Sequence, residues 1–173
     1  MKQARVLFCL YHGNLSVNEN EEAALWLLQH VFNDLPLPFV IAGKNPSVKL
    51  KKIIAAFPHV RLVSNPSNDE MINLIRQAQI NILPSFNNTG IKLKLLFALF
   101  NGRHCIVNTA GVIGSGLENL CVIAYTAPVY EALVQEFYSE PFSGEACKAR
   151  QMYLYDLYNN SKNAQEIMQL FWP

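Results

Sequence analysis

Charge is what this sequence has least of. Asp, Glu, Lys and Arg make up 16% of its 173 residues, against about a quarter in ordinary soluble domains. The two signs nearly cancel, fourteen Lys+Arg against thirteen Asp+Glu. The basic excess of a dedicated nucleic-acid binder is therefore absent, and no nucleic-acid partner is expected. Two readings of the low charge stand side by side: a partner covers part of the surface, or polar amides of an Asn-rich surface replace charges. No run of about 18 apolar residues occurs, so no spanning helix is expected. Nothing of signal-peptide anatomy precedes the first strand-like run, which predicts a cytoplasmic protein. Cys9, Cys105, Cys121 and Cys147 form no C-x-x-C pair. Three of them sit in apolar runs, as small buried hydrophobes of a reducing compartment do. No His, Asp and Glu cluster has metal-ligand spacing, so no metal or cofactor is expected, and no Walker-type loop is present.

Apolar residues make up 51% of the chain, enough for a folded core. At roughly 150 residues per domain the length fits one domain. Short apolar runs alternate with stretches of helical period. Strands are predicted at 6–11, 39–42, 60–63, 80–83, 104–107 and 121–124. Asn18 with Glu21 reads as a capping box, and so does Ser67 with Glu70. Asn45 followed by Pro46 reads as a further helix start. Residues 90–100 are apolar on nearly every side, which predicts a fully buried helix, ended by Gly102. Gly111, Gly114 and Gly116 mark a loop. Two or three helices fill the chain after Pro128. The alternation implies βαβ units: an α/β, three-layer, Rossmann-like domain with a mostly parallel six-stranded sheet and helices on both faces.

Ligands of such sheets bind outside the carboxyl ends of the strands. After strand one comes Tyr11-His12-Gly13-Asn14, where Gly13 serves either a close backbone approach or a plain tight turn. After strand two, Lys44 either reaches an anion or is solvated. After strand three, Ser64, Asn65 and Pro66 either read a base or ribose or only precede a helix cap. After strand four, the run from Ser85 through Thr89, Gly90, Ile91 and Lys92 leads into a helix N-terminus. Free amides and about half a positive charge collect there, which suits a phosphate. Lys92 and Lys94 point to different sides of that helix. His12 is a candidate for acid–base work, and His104, inside an apolar run, reads as a core histidine. Acidic residues are missing between Glu70 and Glu118.

The order of these pieces carries a resemblance. Tyr11-His12-Gly13-Asn14-Leu15, Ile41-Ala42-Gly43, Ala78 to Ser85, Gly90 to Leu99, Gly102-Arg103 and Val107-Asn108-Thr109 together resemble the C-terminal, donor-binding half of group 1 (family 4 type) retaining glycosyltransferases of the GT-B fold. The likeness covers roughly residues 5 to 171. It implies strand order 3-2-1-4-5-6 and binding of a nucleotide-diphosphate sugar donor, such as a UDP- or GDP-sugar, without a metal. Gly13, Asn14, Lys44, Ser85, Thr89, Gly90, Ile91, Lys92 and Lys94 would hold the diphosphate. Ser64, Asn65, Pro66 and Phe97 would lie at the nucleoside.

The sequence also departs from that family. Two glutamates eight apart are common around the helix; Thr89 and Phe97 stand in their places. An Arg and a Lys common near the first glycine are replaced by Asn14 and, approximately, Glu19. A GT-B enzyme has two Rossmann-like halves, and 173 residues accommodate one. Residues 1–173 are thus expected to be one domain of a two-domain enzyme, inactive without the N-terminal half that binds a hydroxyl acceptor. Membrane contact, peripheral to the inner membrane, would come only through that other half. The alternative is a non-catalytic nucleotide-binding or protein-interaction module on the same fold.

Overall fold

The computed structural model of the chain describes residues 7–90 and 92–172. Six strands, β1 (Cys9–Asn14), β2 (Phe39–Lys44), β3 (Val60–Ser64), β4 (Ile80–Ile82), β5 (His104–Val107) and β6 (Val122–Ile123), form one sheet in the order 3-2-1-4-5-6. Every pairing is parallel, as the βαβ pattern requires. The connecting helices are α1 (Asn18–His30), α2 (Val48–Ile54), α3 (Asn68–Gln77), α4 (Leu93–Asn101) and the short α5 (Thr109–Val112). Then come α6 (Ala127–Ser139), α7 (Gly144–Leu157) and α8 (Asn160–Phe171). The α/β, Rossmann-like architecture and strand order expected from the sequence are those observed.

β1 begins later than its apolar run, at Cys9, and runs on to Asn14. It pairs with β2 from Cys9↔Phe39 to Asn14↔Lys44. Register, not hydrophobicity, extends both strands past their apolar stretches. Val6, assigned to this strand from the sequence, lies outside the described residues. One face of the sheet carries the larger core, where Leu27, Leu28, Val31 and Phe32 of the α1 region meet Phe39 and Ile41. The Phe32 and Phe39 rings stack at 3.9 Å. Each such fully buried large side chain stabilises the fold by about 1.5–3 kcal/mol. The other face carries a smaller cluster of Leu10, Val40, Ala42, Ile75 and Ala78.

Several local expectations are corrected. The N-cap of α1 is Val17, with no side-chain cap. Asn18 is already helical and donates to Glu22 Oε1 at 2.6 Å. Glu21 is drawn instead to the next helix, where its carboxylate accepts from Ser47 Oγ at 2.8 Å. Ser47, not Asn45, caps α2 through the Leu50 amide, because Asn45 sits at φ 50° and turns the chain before Pro46. The Ser67–Glu70 capping box on α3 is present as read.

The expectation of a buried helix over 90–100 fails. Helix α4 starts only at Leu93, because Gly90, at φ 67°, has left-handed backbone that interrupts a helix. Only Leu95, Ala98 and Leu99 are buried in it; Leu93 and Phe97 are 69% and 51% exposed. One side packs on the sheet and the other lines open cavities. Gly102 ends α4, but not in left-handed backbone. Its φ is −93°, and a Cβ there would lie 2.3 Å from Asn81 Nδ2. Close packing explains the glycine.

The amino ends of the inner strands β4 and β5 are tied by polar groups. Gln79 donates to the Glu140 carbonyl at 2.6 Å and accepts from Arg103 at 2.8 Å. Arg150 reaches the carbonyls of Arg103 and Gly102 and fixes α7 to the end of α4. His104 is buried and bonded to the Glu140 carbonyl at 3.0 Å, a core histidine as read. Cys9, Cys105, Cys121 and Cys147 are all free thiols. α8 has no buried residue; Ile167, Met168, Leu170, Phe171 and Trp172 are all exposed. No helix among the described residues is long and apolar enough to cross a membrane.

Candidate functional site

The carboxyl ends of β1 and β2 open into a cavity of about 620 Å³, within the range of small-molecule sites. Its floor is His12, Gly13 and Asn14 of β1 with Gly43 and Lys44 of β2. One wall is Pro66 with Asn68, Met71, Ile72 and Ile75 of α3; the other is Leu93, Lys94 and Phe97 of α4. The floor is open because two glycines face each other: Gly13 pairs with Gly43. A Cβ on Gly43 would fall 2.0 Å from the Gly13 carbonyl oxygen and 2.8 Å from Leu15 Cγ. No side chain fits there without separating the strands.

Lys94 is the best-held cation of the cavity. Its Nζ donates to Asn20 Oδ1 at 2.9 Å and reaches Tyr11 Oη at 3.4 Å. It also stands 5.0 Å from the centre of the Tyr11 ring. Partial burial, and then the nearby Lys92 charge, lower its pKa to about 8, while Glu19 opposes the shift. Lys44 is exposed at the end of β2, across the ladder from Asn14. His12 is 4% exposed and its Nε2 has no hydrogen-bond partner. Burial, and then the Lys94 charge, lower its pKa to about 3, so it is a neutral imidazole at neutral pH. The N-terminus of α4 has no side-chain cap. Its dipole adds positive potential on the side where Lys94 stands.

Of the site residues expected from the sequence, the cavity brings together His12, Gly13, Asn14, Lys44, Pro66, Lys94 and Phe97. The other described ones lie apart from its lining. Lys92 Nζ bonds the Thr89 carbonyl at 2.6 Å, and Thr89 is turned onto Asn87 Oδ1 through both its amide and its hydroxyl. Ser85 is buried, its amide on Asn108 Oδ1 at 2.9 Å and its carbonyl on Asn108 Nδ2 at 2.7 Å. Gly90 stands in open space. Asn65 knots two loops together: its Oδ1 accepts from the Asn45 amide at 2.7 Å, and its own amide bonds the Gly43 carbonyl. Ser64 ends β3, exposed. Ile91 lies outside the described residues. Asn14 Oδ1 is itself engaged, accepting from the Ser16 amide at 3.2 Å and hydroxyl at 2.8 Å. Glu19 is held by Asn87 Nδ2 at 3.3 Å, which pins the Ser85–Thr89 loop to the first turn of α1.

Sequence reasoning missed the α3 wall. Met71 and Ile75 belong to the helical stripe visible in the sequence, but a stripe facing a cavity has the same period as one facing a core. Ile72 and Asn68 gave no signal. A second cavity, of about 440 Å³, lies on the other side of α4 and shares Leu93 and Phe97 with the first. Among the described residues no group of three or more His, Cys, Asp or Glu could hold a metal ion.

This fold with a cationic cavity at its strand ends is the arrangement of nucleotide-binding α/β domains. Residues 7–136 match the family described as Glycosyl transferases group 1, and the chain belongs to that family. It is 30% identical over 120 residues to an uncharacterized 44.6 kDa protein in the cps region of Klebsiella pneumoniae, covering 64% of this chain and 31% of that one. Among solved structures it is similar to apo OtsA (TM-score 0.63, 9% identity, 88% of this chain and 40% of OtsA). It is also similar to AviGT4, a glycosyltransferase involved in Avilamycin A biosynthesis (TM-score 0.60, 16% identity, 86% and 47%). A third is a UDP-forming alpha,alpha-trehalose-phosphate synthase from Burkholderia xenovorans (TM-score 0.60, 13% identity, 95% and 44%). The chain thus spans about a third of the curated relative and less than half of each of these structures.

Proposed function

We propose that this chain is the donor-binding domain of a retaining glycosyltransferase and that the cavity between α3 and α4 takes a nucleoside diphosphate carrying a sugar. The observation that carries the reading is the convergence of Lys44, Lys94 and the uncapped N-terminus of α4 on one cavity at the carboxyl ends of β1 and β2. The diphosphate lies at the cationic end, over Gly13. The nucleoside lies between Pro66, Met71, Ile72 and Phe97. In the transition state, negative charge grows on the leaving diphosphate as the bond to the sugar breaks. Lys94, held by Asn20 and Tyr11, stands beside that charge with the positive end of the α4 dipole, and such preorganised charge lowers the barrier without reorganising. His12, neutral and buried, shapes the floor. The remaining length of the longer relatives would supply the acceptor site, and a hydroxyl acceptor would enter from that side.

Calorimetric titration with UDP, GDP and ADP, with and without magnesium, tests the reading. Saturable binding of one nucleotide is expected, weakened at least about tenfold in Lys94→Met, as loss of a charged hydrogen bond implies. Failure of all three to bind overturns it, and the family membership would then describe a fold used for docking.

A further inference from the structure

The donor reading leaves the cavity of about 440 Å³ between α3, α4 and α7 without a role. Leu93, Leu96, Phe97 and Phe100 of α4 make its apolar side. Tyr155 of α7 meets Phe100 ring edge to ring face, 5.2 Å between centres, and is still 66% exposed. Arg76, Asn101 and Gln151 supply the polar groups. One N–H of Arg76 bonds Asn101 Oδ1 at 3.2 Å. A guanidinium has several more, and these have no partner among the described residues. Gln151 donates to the Phe100 carbonyl at 2.6 Å. That bond fixes its amide and leaves Oε1 open as an acceptor.

The electrostatics point to a neutral ligand. Arg76 and Asn101 lie in the last turns of α3 and α4, where helix dipoles are negative. The one cation of the lining is therefore set against two carbonyl ends, and no lining residue is Asp or Glu. The charged groups beside the lining are engaged. Asp156, next to Tyr155, pairs with Lys162 at 2.7 Å. Arg150, next to Gln151, bonds the carbonyls of Gly102 and Arg103. Of the lysines flanking Leu93, Lys92 bonds the Thr89 carbonyl and Lys94 bonds Asn20.

We infer that this cavity is an accessory binding site for a neutral saccharide. A sugar ring has an apolar C–H face and hydroxyls that both donate and accept. The C–H face packs on the Tyr155 ring, and the hydroxyls accept from Arg76 and donate to Gln151 Oε1. This binding does not depend on the donor reading. Where that reading holds, a saccharide chain seated here keeps its ends at high local concentration near the transfer site.

The test is an amide NMR titration of the 173-residue chain with neutral tetrasaccharides of glucose, mannose, galactose and N-acetylglucosamine. Saturable shifts at Asn101, Gln151 and Tyr155 are expected with at least one of them. Tyr155→Ala, at an exposed position, is expected to weaken that binding about fivefold or more, and Tyr155→Phe to keep it within about twofold. Arg76→Met is expected to weaken it about threefold or more, and Lys94→Met to leave it unchanged. No shift with any of the four sugars overturns the inference, whether or not a nucleotide binds at Lys94. A loss seen in Lys94→Met and not in Tyr155→Ala also overturns it and assigns the sugar to the other cavity. Shifts at Tyr155 that follow protein concentration and not sugar overturn it in favour of a second copy of the chain on this face. Sugar binding at Tyr155 without nucleotide binding leaves the inference standing and removes the donor reading.

Discussion

The Lys94 ammonium rests against the face of the Tyr11 ring, 5.0 Å from its centre, so a strand residue of the core supports the charge that a neighbouring helix delivers to the cavity. Asn20 completes the seat at 2.9 Å. The sequence separates these three residues widely; the β1–α1 turn and the start of α4 bring them together.

The lowered pKa of Lys94, to about 8, has two opposite consequences. At this site the unfolded chain holds the proton up to about pH 10.5 and the folded chain does not, so between pH 8 and 10.5 this lysine's contribution to stability rises with pH, against the opposite contribution of the buried thiols of Cys9 and Cys105. Affinity for an anion falls over the same range, because the folded lysine loses its charge. Urea unfolding and anion titration at pH 7, 8, 9 and 10 measure both. The difference in unfolding free energy between the wild type and Lys94→Met is expected to change steadily from about pH 8 to 10 in favour of the wild type, and the anion affinity of Lys94→Met to lose its dependence on this lysine's charge; a constant difference in unfolding free energy assigns the shifted group elsewhere.

His12 predicts the acid side. Its folded pKa is about 3 against an unfolded 6.5, so the unfolded chain gains a proton as pH drops through 6.5 while the folded chain does not. Stability is therefore lost on acidification, by up to about 1.4 kcal/mol per pH unit from this one group. The difference in unfolding free energy between the wild type and His12→Gln should narrow steadily from pH 7 to pH 4. A constant difference would mean that His12 is protonated in the fold.

Asn108 bonds the Ser85 amide and carbonyl and also accepts from the Gly111 amide at 3.2 Å. It thereby joins the loop after β4 to the cap of α5. Asn108→Ala is expected to cost about 2 kcal/mol and to speed amide exchange from Ser85 to Thr89. Exchange unchanged in that segment would show that Asn87 and Glu19 hold the loop without it.

The glycines rank by environment. Gly43→Ala drives a methyl to within 2.0 Å of the Gly13 carbonyl and should cost more than about 3 kcal/mol or prevent folding. Gly13→Ala meets only the end of the Asn20 side chain at 3.3 Å and should cost less than about 1.5 kcal/mol. Gly90→Ala has open space but a φ of 67°, a strain of about 1–2 kcal/mol. Thermal unfolding of the three variants gives the order directly.

The parallel sheet was legible from the βαβ alternation, but its strand order came only through the family resemblance, since such units allow more than one order; that a cavity opens at the carboxyl ends of the strands agrees with the general rule for these sheets. The side chains that reach the cavity were legible only in part: those after β1 and β2 were, and the α3 wall was not. The spacing of Lys92 and Lys94 puts them on different sides of a helix but does not say which one faces the site; in the structure α4 starts at Leu93, Lys94 lines the cavity and Lys92 bonds the Thr89 carbonyl. Glu21 looked like half of a capping box; a cross-helix bond to Ser47 competes for it. Leu93 read as core, and Phe97 was drawn to the cavity only by the family resemblance, because a periodic pattern carries no information on whether the facing space is filled.

Where β1 and β2 meet at Gly13 and Gly43, the cavity floor is bare peptide. Backbone presents the same amides and carbonyls whatever the codon, so that surface cannot be retuned by substitution. Divergence in what proteins of this shape accept is written on the side chains around that strip instead, and a library aimed at changing this site's preference should vary Asn68, Met71 and Ile72 on one helix and Leu93 and Phe97 on the other.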